Sequence, residues 1–571
     1  MSGTHALLEL LKQEDVDIVF GNPGTTELPL IDALAIDHDV RYVLGLQEAA
    51  VMAMADGYAQ ASGSLAVVNL HLAPGLGNAM GMLYNAHKAA SPVIITAGQH
   101  EQSFSATEPI LWAELSALAR PFVKWAGEVR RLSDLPRLVH RAAKTALAPP
   151  TGPVFLSLPS DILTSEGDVD LQAPTRVAPR LRGDRAAVDA AAALLSAAER
   201  PLIIVGDAVA QSRAHAELAE LAELLGAPVY AELLPSTASF PTSHPLFHGA
   251  LTPRAPAIRQ VLDQHDVLLS VGADLFTLSL PSEVEPIPAG MPLIHLDVDA
   301  WELGKNYPAS VAILGDPKGT LPELTAAVSE RMTSNARSAA QGRLRTARDS
   351  IRAARASLIS EARGLATQTP IQPLALLHAI GEMLPKDAVV VAEATSSARG
   401  IHHLIRSDDP QSFFGLRGGG VGWGLPAAIG VKLALPDRPV VALLGDGGAM
   451  YTCQALWTAA HHRIGVVFVI LNNASYRILK QRLYAFRGHA AEADNYGGLE
   501  LVDPLIDFVG LARSLGVVGE RARTAAAATE LIGRGLAGDR PMLIDVELDR
   551  AFKPRDERGG TPAIGATDQV R

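Results

Sequence analysis

The chain has 571 residues, of which 48% are hydrophobic and 19% are charged, a globular composition that corresponds to about three or four domains. Its net charge of −12 argues against nucleic acid as the main partner, because phosphate binding needs concentrated positive charge. Cys453 is the only cysteine, which excludes an intramolecular disulfide and a cysteine-rich zinc site.

The start of the chain predicts an amphipathic helix that carries acidic side chains. A secretory signal would have a basic start and a longer apolar stretch. The longest apolar runs, such as 466–471, have the length of a strand and fall short of the ~20 residues that span a membrane. We therefore expect a cytoplasmic protein without a membrane partner.

Apolar runs of strand length recur along the chain, each followed by a turn and then by a helical pattern. Strands without polar alternation are buried on both faces, as in parallel sheets covered by helices. The pattern therefore predicts an α/β protein built of βαβ units. The predicted strands are 16–20, 66–70, 93–96, 154–158, 202–205, 267–271, 293–296, 389–392, 440–444, 466–471 and 542–546.

Changes of composition divide the chain into three doubly wound parallel-sheet domains. The first covers residues 1–170 and the second residues 185–330, with a polar stretch rich in proline and arginine between them. Residues 331–368 have helical spacing and little strand character, which predicts a helical linker. The third domain covers residues 369–550, and the prolines, glycines and charges of residues 551–571 predict a mobile tail.

Polar residues follow two neighbouring strands of the third domain. Asp446, between two glycines, comes directly after strand 440–444, and Asn473 follows strand 466–471, with residues 451–461 predicted as the crossover helix. Open α/β sheets bind ligands at the carboxyl ends of their strands. Carboxylate and amide oxygens are ligands that Mg²⁺ prefers, and phosphate oxygens and water commonly complete its shell.

We interpret Asp446, Asn473 and the backbone carbonyl of Ser475 as a magnesium–diphosphate anchor. Gly447 and Gly448 let the backbone approach a diphosphate without obstruction. Either motif by itself is typical of an ordinary turn or strand end, and only the pair at this spacing favours a metal site.

This pair of motifs is similar to the diphosphate signature of the thiamin-diphosphate-dependent enzymes. Residues 393–397 and 417–430 resemble segments that precede the metal motif in the branch of 2-oxo-acid decarboxylases and acetolactate synthases. The resemblance covers nearly the whole chain and implies a pyrimidine-binding, a middle and a diphosphate-binding domain. Segments of the first domain are similar to benzoylformate decarboxylase, namely residues 21–29, 46–49, 56–59, 69–71, 91–92 and 98–99.

The resemblance implies catalytic roles in the first domain. Glu48 takes the place of the carboxylate that hydrogen-bonds to N1′ of the cofactor's aminopyrimidine ring. His71 resembles the family's N-terminal active-site histidine, a proton carrier near neutral pH. Thr25 stands where benzoylformate decarboxylases have a serine that contacts the substrate carboxylate. Without the resemblance, these residues are interpreted as an exposed helix-start glutamate, a histidine satisfied at a strand end and a helix N-cap.

In the third domain the resemblance implies a set of cofactor contacts. Val421 takes the place of the apolar wedge that bends thiamin diphosphate, and the carbonyl of Gly419 accepts from its 4′-amino group. The alternative for this glycine-rich segment is a flexible loop. The remaining contacts, which bond the diphosphate or line the site, are Thr395, Ser396, Gly447, Gly448, Tyr476 and Ile478.

The resemblance implies a non-oxidative, thiamin-diphosphate- and Mg²⁺-dependent decarboxylase of a 2-oxo acid. Carboligation of the intermediate to an acceptor aldehyde or ketone is expected beside it. In this family Glu48 and Asp446 come from different chains, so we expect a homodimer or homotetramer.

Departures from benzoylformate decarboxylase bear on the substrate. The position that matches that family's second histidine is Ser279, and loss of this proton donor favours carboligation, with His87 and His100 as candidates to compensate. Ile478 replaces a smaller alanine, which narrows the pocket and favours aliphatic substrates. Arg482 replaces an aromatic residue and could attract a second carboxylate.

Other interpretations stay open. An acetolactate-synthase-like carboligase is the close alternative, and because such enzymes often hold a flavin in the middle domain, FAD is a less favoured possibility. A catalytically inactive homologue that keeps the cofactor is the alternative from a different class. Residues 422–427 fit a dinucleotide-binding Gly-x-Gly-x-x-Ala pattern, but no strand is predicted before them. The Gly-x-Ser-x-Gly motif of serine hydrolases is absent from the sequence.

Overall fold

The computed structural model describes residues 1–232, 236–278 and 280–552. Within these residues the chain forms three six-stranded sheets with helices packed on their faces, and neighbouring strands run parallel. The predicted α/β class with three doubly wound parallel-sheet domains is therefore confirmed. The limits given above for the domains stay predictions. Ser279 and the tail from residue 553 onward lie outside the described residues.

The first domain has short strands that are buried where they lie inside the sheet. Its strands are β1 Ile18–Gly21, β2 Arg41–Leu44, β3 Ala66–Leu70, β4 Val93–Gln99, β5 Ala126–Glu128 and β6 Val154–Pro159. Its helices are α1 Gly3–Gln13, α2 Leu28–Leu34, α3 Glu48–Ser62, α4 Leu72–Lys88, α5 Gln102–Ser105, α6 Leu115–Ala119, α7 Leu135–Leu147 and α8 Ser160–Thr164. The spatial order of the strands is β2-β1-β3-β4-β6-β5.

The middle domain is separated from the first by an exposed segment without helix or strand. Its strands are β7 Pro201–Val205, β8 Val229–Ala231, β9 Phe247–Ala250, β10 Val267–Val271, β11 Leu293–Asp297 and β12 Val311–Leu314, in the spatial order β12-β11-β10-β7-β8-β9. Its helices are α9 Arg185–Ala197, α10 Asp207–Gln211, α11 His215–Leu225, α12 Ala255–Leu262 and α13 Pro317–Arg331.

A single helix, α14 Ser334–Gly364, fills most of the predicted helical linker and packs against both the middle and the third domain. The strands of the third domain are β13 Val389–Glu393, β14 Phe413–Gly415, β15 Val440–Gly445, β16 Val467–Asn472, β17 Val518–Ala522 and β18 Met542–Glu547. Its helices are α15 Pro373–Met383, α16 Ile401–Leu404, α17 Gly424–Ala434, α18 Asp446–Ala449, α19 Ala455–His461, α20 Arg477–Phe486, α21 His489–Glu492, α22 Phe508–Ser514 and α23 Ala525–Leu536.

The first and third sheets have the same topology. The third sheet is ordered β14-β13-β15-β16-β18-β17, so each of its strands matches the strand of the first sheet that occupies the same place in chain order. The order reverses between β1 and β3 in the first sheet and between β13 and β15 in the third. Crevices at the carboxyl ends of such strands are where doubly wound sheets bind ligands.

Two details of the sequence prediction are wrong. The crossover helix predicted over 451–461 begins only at Ala455, because Thr452 Oγ1 donates to the carbonyl of Gly422 at 2.6 Å and residues 450–454 form turns. The glycine-rich loop does follow a strand, since β14 ends at Gly415. This strand is only three residues long at the edge of its sheet, so it leaves little signal in the sequence.

The first and third domains share one apolar core. It includes the alanines and methionines of α3 together with Trp423 and the apolar residues of α17. Small residues allow this close packing, because a Cβ on Gly57 would lie 2.3 Å from the carbonyl oxygen of Ala427. Trp423 Nε1 donates to the buried Asp56 carboxylate at 2.7 Å across the same contact. The two domains are therefore packed directly against each other.

Among the described residues, none of the helices combines the length and the apolar character needed to cross a membrane.

Candidate functional site

Glu48 is the first residue of α3 and is buried, with 8% of its surface exposed. The side-chain oxygen of Gln47 caps the helix by accepting from its first backbone N–H groups at 2.6 and 3.1 Å. The two carboxylate oxygens of Glu48 accept from Asn22 Nδ2 at 3.2 Å and from Asn78 Nδ2 at 3.0 Å. The interpretation of Glu48 as an exposed helix-start residue is therefore wrong, and its carboxylate is held in one orientation.

His71 lies between β3 and α4 and is fixed by a buried acid. Its Nδ1 is 2.8 Å from Oε2 of Glu27, and because a carboxylate only accepts, Nδ1 carries a proton there. Glu27 is 1% exposed and also accepts from the backbone N–H groups of Gly24 and Gly98. The second ring nitrogen of His71, Nε2, is thus the one available for chemistry.

Thr25 is exposed at the start of a 3-10 turn over residues 25–27, next to the buried Thr26. The N-cap of this turn is Gly24, so the interpretation of Thr25 as an N-cap is wrong. Thr25 belongs to the same turn as Glu27, whose carboxylate contacts His71.

Asp446, Asn473 and Ser475 come together at the carboxyl ends of β15 and β16, and all three are buried. Asp446 Oδ1 accepts from the backbone N–H of Gly447 at 2.8 Å, whereas Oδ2 is buried without a hydrogen-bond partner. Burial raises the pKa of the Asp446 carboxyl. The Gly447 N–H group, which donates to Oδ1, and the N–H groups of residues 473–475, which lie near the carboxylate without a hydrogen bond to Oδ2, oppose this shift. A buried acceptor without a partner has a desolvation cost that a cation would remove.

Ala474 separates the two other candidate ligands and has a φ of 50°. This left-handed residue turns the chain so that Ser475 Oγ donates to Asn473 Oδ1 at 2.9 Å. Within the described part of the chain, no group of three or more His, Cys, Asp and Glu side chains could hold a metal ion. A cation here would therefore rely on one carboxylate, an amide oxygen, a carbonyl and oxygens of its ligand.

The glycine-rich loop before α17 is locked by Glu393, the last residue of β13. Its carboxylate oxygens accept from the backbone N–H groups of Gly422 and Gly424 at 2.7 and 2.5 Å. Burial raises the pKa of Glu393 to about 7, against the opposing effect of these donors. The loop is thus held at two points, and the interpretation of it as a flexible loop is not supported.

Gly419 and Val421 lie on the open side of this loop. Gly419 has a φ of 79°, and a Cβ built on it would have no atom within 4 Å. Val421 is 40% exposed although it is apolar, and its Cγ1 would lie 3.5 Å from a Cβ on Gly448. A Cβ on Gly447 would lie 2.6 Å from the ring of Tyr476, so glycine is required there. An apolar side chain therefore projects beside the candidate metal ligands.

Thr395 and Ser396 follow β13 at the same sheet edge; Thr395 is exposed and Ser396 partly buried. Arg477, the first residue of α20, donates from Nη2 to the carbonyl of Ser396 at 2.8 Å. Ile478 is the next residue of that helix and is partly exposed. The structure thus brings the predicted diphosphate contacts and the predicted metal ligands to one edge of the third sheet.

The residues at which this sequence departs from benzoylformate decarboxylase, and the histidines that could compensate, lie in different parts of the structure. His100 follows β4, on the same edge as His71, and its Nε2 bonds the carbonyl of Ile110 at 2.8 Å. His87 is near the far end of α4, and burial lowers its pKa. Arg482 is exposed on α20, and Ser279 lies outside the described residues.

Several functional candidates were missed by sequence reasoning. Asn22 and Glu27 lie inside the segment 21–29, but nothing in the sequence shows which residues they contact. Asn78 could have been found, because positions 71, 75 and 78 have the i, i+4, i+7 spacing of one helix face. No sequence pattern indicated a role for Arg477, because its hydrogen-bond partners come from distant parts of the chain.

Comparison with known proteins defines the class. Residues 1–113 match the N-terminal thiamine pyrophosphate (TPP) binding domain of the thiamine pyrophosphate enzymes, residues 188–324 match their central domain, and residues 393–546 match their C-terminal TPP binding domain. The chain therefore belongs to the family of thiamin-diphosphate-dependent enzymes.

Its relatives narrow the branch. The chain is 36% identical over 552 residues to benzoylformate decarboxylase of Pseudomonas aeruginosa, with 95% of this chain and 98% of the relative covered. It is 29% identical over 572 residues to the probable acetolactate synthase large subunit of Methanococcus aeolicus, covering 96% and 92% of the two chains. A solved 4-hydroxybenzoylformate decarboxylase from Rhodococcus jostii superposes with a TM-score of 0.84 at 33% identity and covers 97% of this chain and 100% of its own.

Proposed function

We propose that the protein catalyses the thiamin-diphosphate- and Mg²⁺-dependent, non-oxidative decarboxylation of a 2-oxo acid, with carboligation to an aldehyde or ketone as a second outcome. The observation that carries this proposal is that Oδ2 of Asp446 is buried beside Asn473 without a hydrogen-bond partner. Both residues lie in the part of the chain that matches the C-terminal TPP binding domain. The likeness to benzoylformate decarboxylase over nearly the full chain supports the reaction class. A flavin forms no part of the proposal, and a cytoplasmic location stays a prediction.

The residues at this site fit both Mg²⁺ and thiamin diphosphate. Asp446 Oδ2, the amide oxygen of Asn473 and the carbonyl of Ser475 form an oxygen set that suits Mg²⁺ with diphosphate oxygens in its shell. Gly447 and Gly448 keep the approach open, and Thr395 and Ser396 would bond the diphosphate. Gly419 would accept from the 4′-amino group, and Val421 supplies the exposed apolar wedge. Tyr476 and Ile478 would line the site.

Thiamin diphosphate, when bound, supplies a nucleophilic thiazolium carbon and an electron sink for loss of CO₂. Glu48 would hold a proton at N1′ of the pyrimidine, and Asn22 and Asn78 keep its two oxygens aimed. His71 would move a proton at Nε2, because Glu27 occupies Nδ1. Thr25 would contact the substrate carboxylate through its hydroxyl.

The geometry of one chain supports a site shared between two chains. Asn85 of α4 bonds both the N–H and the carbonyl of Gly420 in the glycine-rich loop, at 2.9 and 2.8 Å. His71, at the start of α4, lies fourteen residues earlier, which is about 21 Å along a helix at ~1.5 Å per residue. Reacting groups must come within ~3.5 Å of each other. The His71 and Glu48 of a partner chain would therefore complete the site, and we propose a homodimer or homotetramer.

An acetolactate-synthase-like carboligase is the second candidate. The observation that favours it is the likeness of the whole chain to acetolactate synthase large subunits. The two candidates share every cofactor contact proposed above and differ in what accepts the intermediate. Only their products separate them.

Cofactor dependence tests the proposal. The dialysed protein should consume 2-oxo acids only when both thiamin diphosphate and Mg²⁺ are added back. Asp446→Ala should raise the Mg²⁺ concentration for half-maximal activity by more than about tenfold, because a direct ligand is lost. Asp387→Ala, which removes an exposed carboxylate of the same domain, is the matched control and should behave as wild type. Unchanged Mg²⁺ dependence in Asp446→Ala would place the metal elsewhere.

A further inference from the structure

Arg477 is a buried cation at the diphosphate edge of the third sheet. It begins α20, two residues after Ser475, and is 5% exposed. Its guanidinium donates to neutral acceptors: Nη2 to the carbonyl of Ser396 at 2.8 Å and to Ser397 Oγ at 2.7 Å, Nε to Ser396 Oγ at 3.3 Å, and Nη1 to the backbone carbonyl of Asp549 at 3.1 Å.

Within the described residues, no carboxylate lies within the 4.0 Å ion-pair distance of Arg477, whereas the other buried arginine of this region, Arg417, is surrounded by acids. A buried charge without a paired counter-charge is costly. Asp446 and Asp549 act on Arg477 only through longer-range charge interactions. The guanidinium is therefore placed where an anion would offset it.

The contact with Ser396 also fixes the role of that hydroxyl. Because Ser396 Oγ accepts from Arg477 Nε, the hydroxyl hydrogen points away from the guanidinium and is available to donate. A hydroxyl that accepts from a cation becomes a better donor to an anionic oxygen, since hydrogen bonds in a chain polarise one another. The carbonyl of Ser396, held by Nη2, keeps the segment after β13 in place.

We propose that Arg477 is the positioning cation of the diphosphate subsite: it orients the Ser396 hydroxyl toward the diphosphate and offsets the diphosphate's negative charge. The inference rests on the proposed function, and it assigns to the third domain a positive charge besides Mg²⁺. It differs from a purely structural role, in which Arg477 would only tie together the chain after β13, β16 and β18.

Cofactor binding to the metal-supplemented, cofactor-free protein tests this assignment. Dissociation constants for thiamin diphosphate and thiamin monophosphate are measured by quenching of intrinsic fluorescence, for wild type, Arg477→Met and Arg477→Lys. Arg348→Met, which removes an exposed arginine from the remote helix α14, is the matched control for loss of one positive charge. Thermal unfolding of each cofactor-free variant reports its structural effect.

We expect Arg477→Met to weaken thiamin diphosphate binding by about 10- to 100-fold, the range for a lost charge-assisted hydrogen bond, and to weaken monophosphate binding less. Arg477→Lys should recover part of the affinity, because the charge remains while most of the guanidinium's donors are lost. The Arg348→Met control should bind as wild type. Added salt should weaken diphosphate binding more in wild type than in Arg477→Met.

Two results would overturn the inference. One is wild-type affinity in Arg477→Met. The other is an equal loss in Met and Lys variants for both phosphates, accompanied by a fall in melting temperature, which is the signature of a structural role. Should Arg477→Met not fold, full affinity loss in a folded Arg477→Lys would overturn it as well. Failure of wild type itself to bind thiamin diphosphate would instead contradict the proposed function.

Discussion

The carboxylates of Glu48 and Glu27 are buried, and hydrogen bonds hold each of them in one orientation. Both oxygens of Glu48 accept hydrogen bonds from side-chain amides. An amide is uncharged, so it does not neutralise the carboxylate as a lysine or arginine would. Glu27 accepts from backbone N–H groups and from His71. Neither residue lies within ion-pair distance of a lysine or arginine in the described chain, so both keep their acceptor strength for a ligand or a histidine.

Glu48→Gln tests this orientation at the residue scale. The amide keeps the shape of the side chain but loses the charge that, in the proposed mechanism, would hold a proton at N1′, so kcat should fall by about 10²- to 10⁴-fold. Thiamin diphosphate binding, measured by fluorescence quenching, should change little because the diphosphate is anchored elsewhere. Glu382→Gln, an exposed residue of α15, is the control. A kcat near that of wild type would remove Glu48 from the mechanism.

The residues of the candidate site differ in how well the sequence alone predicts their role. Asp446 and Asn473 were predicted because each ends a buried apolar strand, and strand ends converge at one edge. Glu48 was predicted through its resemblance to a family motif. Arg477 could not be predicted, because its acceptors after β13 and β18 meet it only in the folded chain.

At the scale of elements, the contact between α3 and α17 decides how the two cofactor-binding domains meet. Glycine at Gly57 and Gly430 lets the backbones touch, since a Cβ on Gly430 would lie 1.9 Å from the carbonyl oxygen of Met54. This contact adjoins the loop that carries Val421, so its spacing sets the position of the proposed apolar wedge.

Gly430→Ala should destabilise the protein by about 1–3 kcal/mol, because the added methyl overpacks a backbone contact that has no room to yield. Gly342→Ala in α14 is the matched control, since a Cβ there meets nothing within 4 Å and should stabilise by about 0.5–1 kcal/mol. Chemical denaturation measures both. Equal stabilisation by the two substitutions would show that α3 and α17 are not packed as described.

The strands that sequence reasoning found are the central ones. Those it missed are mainly the edge strands β2, β5, β9, β12, β14 and β17, together with the short β8. Edge strands face solvent on one side, so β2 and β12 mix exposed and buried positions and lack a continuous apolar run. The turn at residues 450–454 was missed because tertiary contact with Gly422 sets it.

At the scale of the whole molecule, Arg417 links the middle domain to the cofactor loop. Its Nη2 lies 2.9 Å from Glu232 Oε2 and 2.7 Å from Asp274 Oδ2, and its Nε lies 3.6 Å from Asp207 Oδ2. Burial raises the pKa of Glu232 despite this cation. Because the glycine-rich loop begins at the next residue, the middle domain holds one end of the proposed cofactor site.

Arg417→Met should destabilise the protein by about 3–5 kcal/mol, because it leaves buried carboxylates without their cation. Without Arg417 the folded-state pKa of Glu232 rises further above its unfolded value, so the loss should grow as pH increases from 5 to 8. Arg185→Met breaks an exposed pair with Asp189 and should have little effect. A loss independent of pH would contradict this account of the network.

The measurement that tests the central claim most directly is the product balance of the reaction. The protein is incubated with thiamin diphosphate, Mg²⁺ and a panel of aromatic and aliphatic 2-oxo acids, with and without an acceptor aldehyde, and CO₂, aldehyde and hydroxy ketone are measured together. We expect cofactor-dependent CO₂ release, with each CO₂ matched by one decarboxylated acyl group recovered either as aldehyde or within a hydroxy ketone. Condensation of two 2-oxo acids for each CO₂ would favour the synthase alternative, and absence of CO₂ from every acid, with thiamin diphosphate bound, would contradict the proposed function.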